Sequence, residues 1–76
     1  MARLPALTGR KVLRALRKAG FEEKRVTGSH HMMEHLGPPP RLVPVPVHGN
    51  RDLKRGTLDA IVGQSGLTRE EFIALL

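Results

Sequence analysis

The hydrophobic positions change their spacing twice along the chain, and each change marks a new kind of element. Val12, Leu13, Leu16 and Ala19 recur at intervals of three and four, which gathers them on one face of a helix. Thr8 stands where an N-cap hydroxyl is needed and Gly20 where the chain must leave through a left-handed turn, so a helix is expected from about Gly9 to Ala19. From Phe21 to Val47 the period falls to two in three short stretches: Phe21 to Thr27, His30 to His35, and Arg41 to Val47. Gly28 and Ser29 separate the first pair, and Gly37 with the triplet Pro38 to Pro40 separates the second. Connections this short make neighbouring strands antiparallel, which predicts a three-stranded meander. After a polar link, His48 to Lys54, a second helix is expected to begin between Arg55 and Thr57, bury Leu58, Ile61 and Val62, and end at Gly66. Thr68 and Glu71 then match the Thr-x-x-Glu capping box of a short last helix that turns Phe72, Leu75 and Leu76 to one side.

The order α-β-β-β-α-α predicts an α+β fold, a single small domain over residues 1–76. A three-stranded antiparallel sheet is too small to be covered twice, so the helices should pack on one face and leave the other open. Val43-Pro44-Val45-Pro46-Val47 is unusual for a strand, because proline cannot donate to a ladder. The two prolines are two residues apart, so both missing N–H groups fall on the same side. If that side is the free edge, no ladder bond is lost, which makes the third strand an edge strand.

Composition narrows the functions open to such a domain. A chain of 76 residues cannot enclose a large cavity, so its chemistry belongs on a surface. Phe21 and Phe72 are its only aromatic residues, which argues against binding single strands by aromatic stacking. The absence of cysteine removes disulfides and zinc fingers and suits the cytoplasm. No apolar run reaches the length of a signal peptide core or of a membrane span, so no membrane partner is expected. The net charge of +6 favours a polyanionic partner, with nucleic acid ahead of an acidic protein. Residues 1–36 carry eight basic and three acidic side chains, so most of the excess lies in the first half.

Four histidines, His30, His31, His35 and His48, are the candidate chemical groups. Metal binding is disfavoured: at about 3.3 Å per strand residue, His31 and His35 lie about 13 Å apart, while His30 and His31 point to opposite faces. Neither a metal nor another cofactor is expected. If Val43, Val45 and Val47 face the core opposite His35, Met33 and His31, then His30 falls directly opposite His48 on the open face. An exposed histidine just after Gly28-Ser29 is suited to proton transfer near neutral pH, although spacing alone favours an ordinary surface or satisfied histidine. Ser29 has no Asp nearby to complete a triad.

The residues Gly9-Arg10-Lys11-Val12-Leu13, Ala19-Gly20-Phe21, Arg25, Gly28-Ser29-His30-His31, Val45-Pro46-Val47-His48-Gly49-Asn50, Leu53-Lys54 and Gly56-Thr57-Leu58 together span most of the chain. In this order and spacing they resemble the HicA (YcfA-like) toxins. The resemblance implies a fold similar to a double-stranded-RNA-binding domain, the toxin role in a type II toxin-antitoxin system, mRNA interferase activity and a HicB-type antitoxin partner. It also implies that His30, the histidine of Gly-Ser-His, is catalytic. Two departures stand out: Pro38 to Pro40 replace a short polar turn, and Val26 stands where a polar residue is common, near the expected RNA contact.

On this reading the chain is a metal-independent endoribonuclease acting on mRNA, with His30 as general acid or base while a ribose 2′-hydroxyl attacks the adjacent phosphorus. Lys24, Arg25, Gly28, Ser29 and His48 are expected to hold the RNA, and His48 or water to supply the partner acid. The alternative is a module of the same fold that binds RNA without cutting it.

Overall fold

A computed structural model describes residues 3–76. Its elements are α1 (Gly9–Lys18), β1 (Glu22–Thr27), β2 (His30–His35), β3 (Arg41–Pro46), α2 (Arg55–Ser65) and α3 (Arg69–Ala74). The caps are the ones the sequence calls for. The Thr8 hydroxyl accepts from the Lys11 amide at 3.3 Å. At the other end of α1, Gly20 takes φ +96°, and the amides of Gly20 and Phe21 donate back to Arg17 and Leu16. That pair of bonds is a Schellman closure, which turns Phe21 back into the core. Gly66, at φ +78°, ends α2, and both halves of the Thr68–Glu71 capping box form at the start of α3.

The sheet is antiparallel in the order β1-β2-β3. Gly28, at φ +59°, and Ser29 form a two-residue hairpin turn between Thr27 and His30. Just past the end of β3 the Val47 amide donates to the Ser29 carbonyl at 2.8 Å, so the odd-numbered residues of the strand point their amides at β2. Pro44 and Pro46 accordingly turn their missing donors to the free edge, and β3 is an edge strand with its ladder intact.

One register differs from expectation. His30 pairs with Pro46, His31 with Val45, Met33 with Val43 and His35 with Arg41, so His30 does not stand opposite His48. The shift is by two residues, which preserves the faces: Met33, Val43 and Val45 remain buried. The shorter loop is favoured by Arg41, which pairs with His35, reaches its Nδ1 at 3.3 Å, lies over the Phe21 ring at 5.8 Å and donates to the Ser65 carbonyl at 2.8 Å. A two-residue slip would remove all of these contacts. Strand β3 then ends at Pro46, and His48 lies past the ladder in a tight turn closed by the Arg51 amide on the His48 carbonyl.

The core unites the faces of α1, β2, β3 and the last two helices, and helices α1 and α2 pack chiefly on β3. Strand β1 reaches beyond them, and all six of its residues are exposed. Two core residues come from the N-terminal segment, which periodicity does not mark: Leu4 and Leu7 are buried. The segment is held by the Arg55 guanidinium on the Leu4 carbonyl at 2.6 Å and by the Leu53 amide on the Leu7 carbonyl at 2.8 Å. Leu76, expected to turn inward with Phe72, is about half exposed. Gly9 lies against the end of β3, where a Cβ would run into the Pro46 carbonyl and sit 3.0 Å from Val47 Cγ2. The start of α1 thus fixes the end of the strand opposite His30.

Candidate active site

The four histidines separate by their partners. His31 points to the helix-covered side, where its Nδ1 meets Glu23 Oε1 at 2.6 Å; Arg17 Nη2 reaches the same oxygen at 3.7 Å. His35 Nδ1 accepts from the Gly37 amide at 2.9 Å and from Arg41, while its ring packs on Phe21 with centroids 5.2 Å apart. Two donors on one nitrogen keep the lone pair there, so the ring proton sits on Nε2. Both of these side chains are committed to the fold. His30 is exposed at the first position of β2, and among the described residues no hydrogen bond or ion pair engages its ring. His48 is exposed as well.

His30 forms one wall of a hollow of about 430 Å³, open to solvent, that runs between β3 and α2. Pro44 and Pro46 are its strand side; Thr57, Ala60 and Gln64 project from α2 as a single stripe at helical spacing. A second hollow of about 260 Å³ holds His48, Arg51, Asp52 and Lys54, and meets the first at Pro46 and Thr57. The structure therefore brings His30 and His48 to two joined hollows rather than face to face.

The expected RNA-binding residues divide in the same way. Arg25 pairs with Met32 and so lies diagonal to His30 on the same face, a neighbour at about 7–8 Å by strand geometry. Ser29, beside His30, uses its carbonyl to anchor β3, and a side chain at Gly28 would meet nothing within 4 Å. Lys24 is not brought to His30. A register irregularity between Glu23 and Arg25 displaces it, and its Nζ pairs with Glu34 Oε2 at 3.5 Å, toward the other end of β2. Val26 pairs with His31 and so faces away from His30. In the sequence Thr57 is marked only as part of Gly56-Thr57-Leu58, without a role, and nothing marks Gln64. Their spacing with Ala60 was the available signal, but only the packing of α2 beside β3 reveals what that stripe faces.

Among the described residues, no three His, Asp or Glu side chains lie close enough to share a metal ion. No helix among them is long and apolar enough to cross a membrane.

The family model of the HicA toxin of bacterial toxin-antitoxin systems matches residues 9–67. The chain belongs to the HicA toxin family. The match runs from the first residue of α1 to just past α2, so it includes both joined hollows and every histidine discussed above. Membership makes the chain the toxin half of a toxin-antitoxin pair. No curated protein gives a significant match to this HicA chain.

Proposed function

We propose that this HicA chain is a metal-independent endoribonuclease that cuts mRNA in the cytoplasm, with His30 as its catalytic residue, and is neutralised by a HicB-type antitoxin. The observation that carries the reading is the contrast among the histidines: the rings of His31 and His35 are taken up by the fold, whereas His30 stands exposed and unengaged in the hollow beside α2, with His48 exposed in the adjoining one.

The reaction needs only groups the chain and its substrate supply. His30 accepts the proton of a ribose 2′-hydroxyl as that oxygen attacks the neighbouring phosphorus. The 2′-O–P bond forms and the P–O5′ bond breaks. The departing 5′-oxygen takes a proton from His48, in the adjoining hollow, or from water. The products are a 2′,3′-cyclic phosphate and a 5′-hydroxyl. Arg25 suits a phosphate oxygen pair because its guanidinium offers two parallel donors, and the side-chain-free surface at Gly28, beside Ser29, lets a backbone come close. Lys24, paired with Glu34, contributes charge rather than a direct contact. A HicB-type antitoxin would act most simply by covering His30; a complex leaving it open would refute that mode of inhibition.

The test is incubation of the protein and its His30→Ala variant with single-stranded RNA in excess chelator, with products resolved by size. Cleavage by the parent alone is expected. RNA left intact by both, yet retarded by them, would instead identify a binding module of the same fold.

A further inference from the structure

The two joined hollows differ in chemistry. Arg51, Lys54 and His48 face Asp52 in one, a surplus of positive charge over a single carboxylate. Beyond Pro46 and Thr57, the other hollow holds no formal charge apart from what the His30 ring can carry; its walls are two proline rings, Ile61, small side chains and the Gln64 amide. A phosphate prefers the first compartment. A nucleobase, planar and uncharged with donors and acceptors on its edge, matches the second.

We infer that the hollow between β3 and α2 is a base-binding slot, in which a nucleobase flanking the scissile phosphate lies against Pro44 and Pro46 and is read at its edge by Gln64. The inference rests on the reading that His30 stands at the RNA. The proline rings offer flat apolar surface in a protein whose two aromatic residues are both buried in the core, so the base is held without aromatic stacking. A glutamine amide presents a donor beside an acceptor, the pairing that permits a bidentate contact with a base edge. Gln64 is exposed on α2 and its side chain makes no hydrogen bond among the described residues, so its amide is free for a ligand. The volume of about 430 Å³ lies within the range of roughly 300–1,000 Å³ usual for small-ligand sites. Because the phosphate and base compartments meet beside His30, occupying both would set the strand across the imidazole in one direction.

The experiment offers a pool of single-stranded RNAs, randomised over the cleaved region, to the parent, Gln64→Leu, Gln64→Glu and Lys54→Ala proteins, and sequences the cut ends. The same pool is selected for binding by His30→Ala, with and without Gln64→Leu. The parent should favour one base at a fixed position next to the cut by at least fivefold. Gln64→Leu should flatten that preference, and Gln64→Glu, which exchanges the donor for an acceptor, should change which base is favoured. Lys54→Ala should slow cutting of all sequences alike and lower its salt dependence, as loss of a phosphate contact does. A parent without base preference, or a preference that survives both Gln64 substitutions, overturns the slot while leaving the nuclease reading intact. If no protein cuts, the nuclease reading fails, and the binding selection decides the slot: a Gln64-dependent base preference upholds it and an indifferent selection overturns it.

Discussion

At one end of β2 the His30 ring is exposed beside a hollow, while at the other, about 16 Å along the strand, the His35 ring is fixed from three sides. Residue type is the same, and the strand is the same. The neighbours differ: His35 meets Arg41, the Gly37 amide and Phe21, whereas His30 meets the chain-reversing Gly28-Ser29 turn and two prolines. A histidine whose bonds are taken by the fold stabilises it and is lost to chemistry, and one left open contributes little to stability and is available for proton transfer. Chemistry and stability are therefore expected to divide between the two ends of the strand.

The largest expected effect is at the open end. His30→Ala should lower the RNA-cleavage rate by about 10²- to 10⁴-fold, the usual contribution of a positioned acid or base. Its unfolding free energy should change by less than about 0.5 kcal/mol, because an exposed ring without partners leaves nothing unsatisfied. His35→Ala should do the reverse. It strands the buried face of Arg41, whose Nε already lacks a partner, and a loss of about 1–3 kcal/mol is expected in denaturant unfolding, with the cleavage rate of the folded protein within threefold of the parent. Equal losses of activity in both variants would erase the division.

Gly9→Ala tests the support of the open end from the outside. Its methyl would collide with the Pro46 carbonyl in a site with no room, so a cost of about 1–3 kcal/mol is expected. At roughly 4–8 °C per kcal/mol for a domain of this size, this should be plain in a thermal melt. Arg41→Lys keeps the charge and loses the fork that joins His35 to the Ser65 carbonyl, at a cost of about 1 kcal/mol. The smallest effect belongs to Val26→Thr: at 47% exposure and facing away from His30, it should alter stability by less than about 0.5 kcal/mol and cleavage by less than twofold. A large effect on cleavage would return Val26 to the RNA contact that the sequence alone suggested.

The fold was readable in the sequence to the extent that its signals were local. Thr8, Gly20, Gly66 and the Thr68–Glu71 pair each fix a helix end through bonds spanning a few residues, and the alternating prolines identify the edge strand through the backbone alone. The register of β3 was not local. The valine stripe determines which face is buried but accepts any even shift, and the choice among shifts depends on Arg41 meeting Phe21 and Ser65, residues 20 and 24 positions away. The candidate site shows the same limit. Gly-Ser-His marks His30 in the sequence, but the hollow it faces is completed by Thr57 and Gln64, more than twenty-five residues later, and no pattern near His30 announces them. Leu4 and Leu7 escaped because their segment is held by Arg55 and Leu53 rather than by any periodicity of its own.

The most direct test of His30 as the base at a ribose hydroxyl uses one oligoribonucleotide that the protein cuts at a single position, beside the same oligonucleotide carrying 2′-deoxyribose only at that nucleotide. A 2′,3′-cyclic phosphate is expected on the upstream fragment of the first and no cut at that position in the second, in excess chelator and with the parent protein alone. Cleavage of the deoxy-substituted strand, or an upstream fragment ending in a free 3′-hydroxyl, would contradict that role for His30.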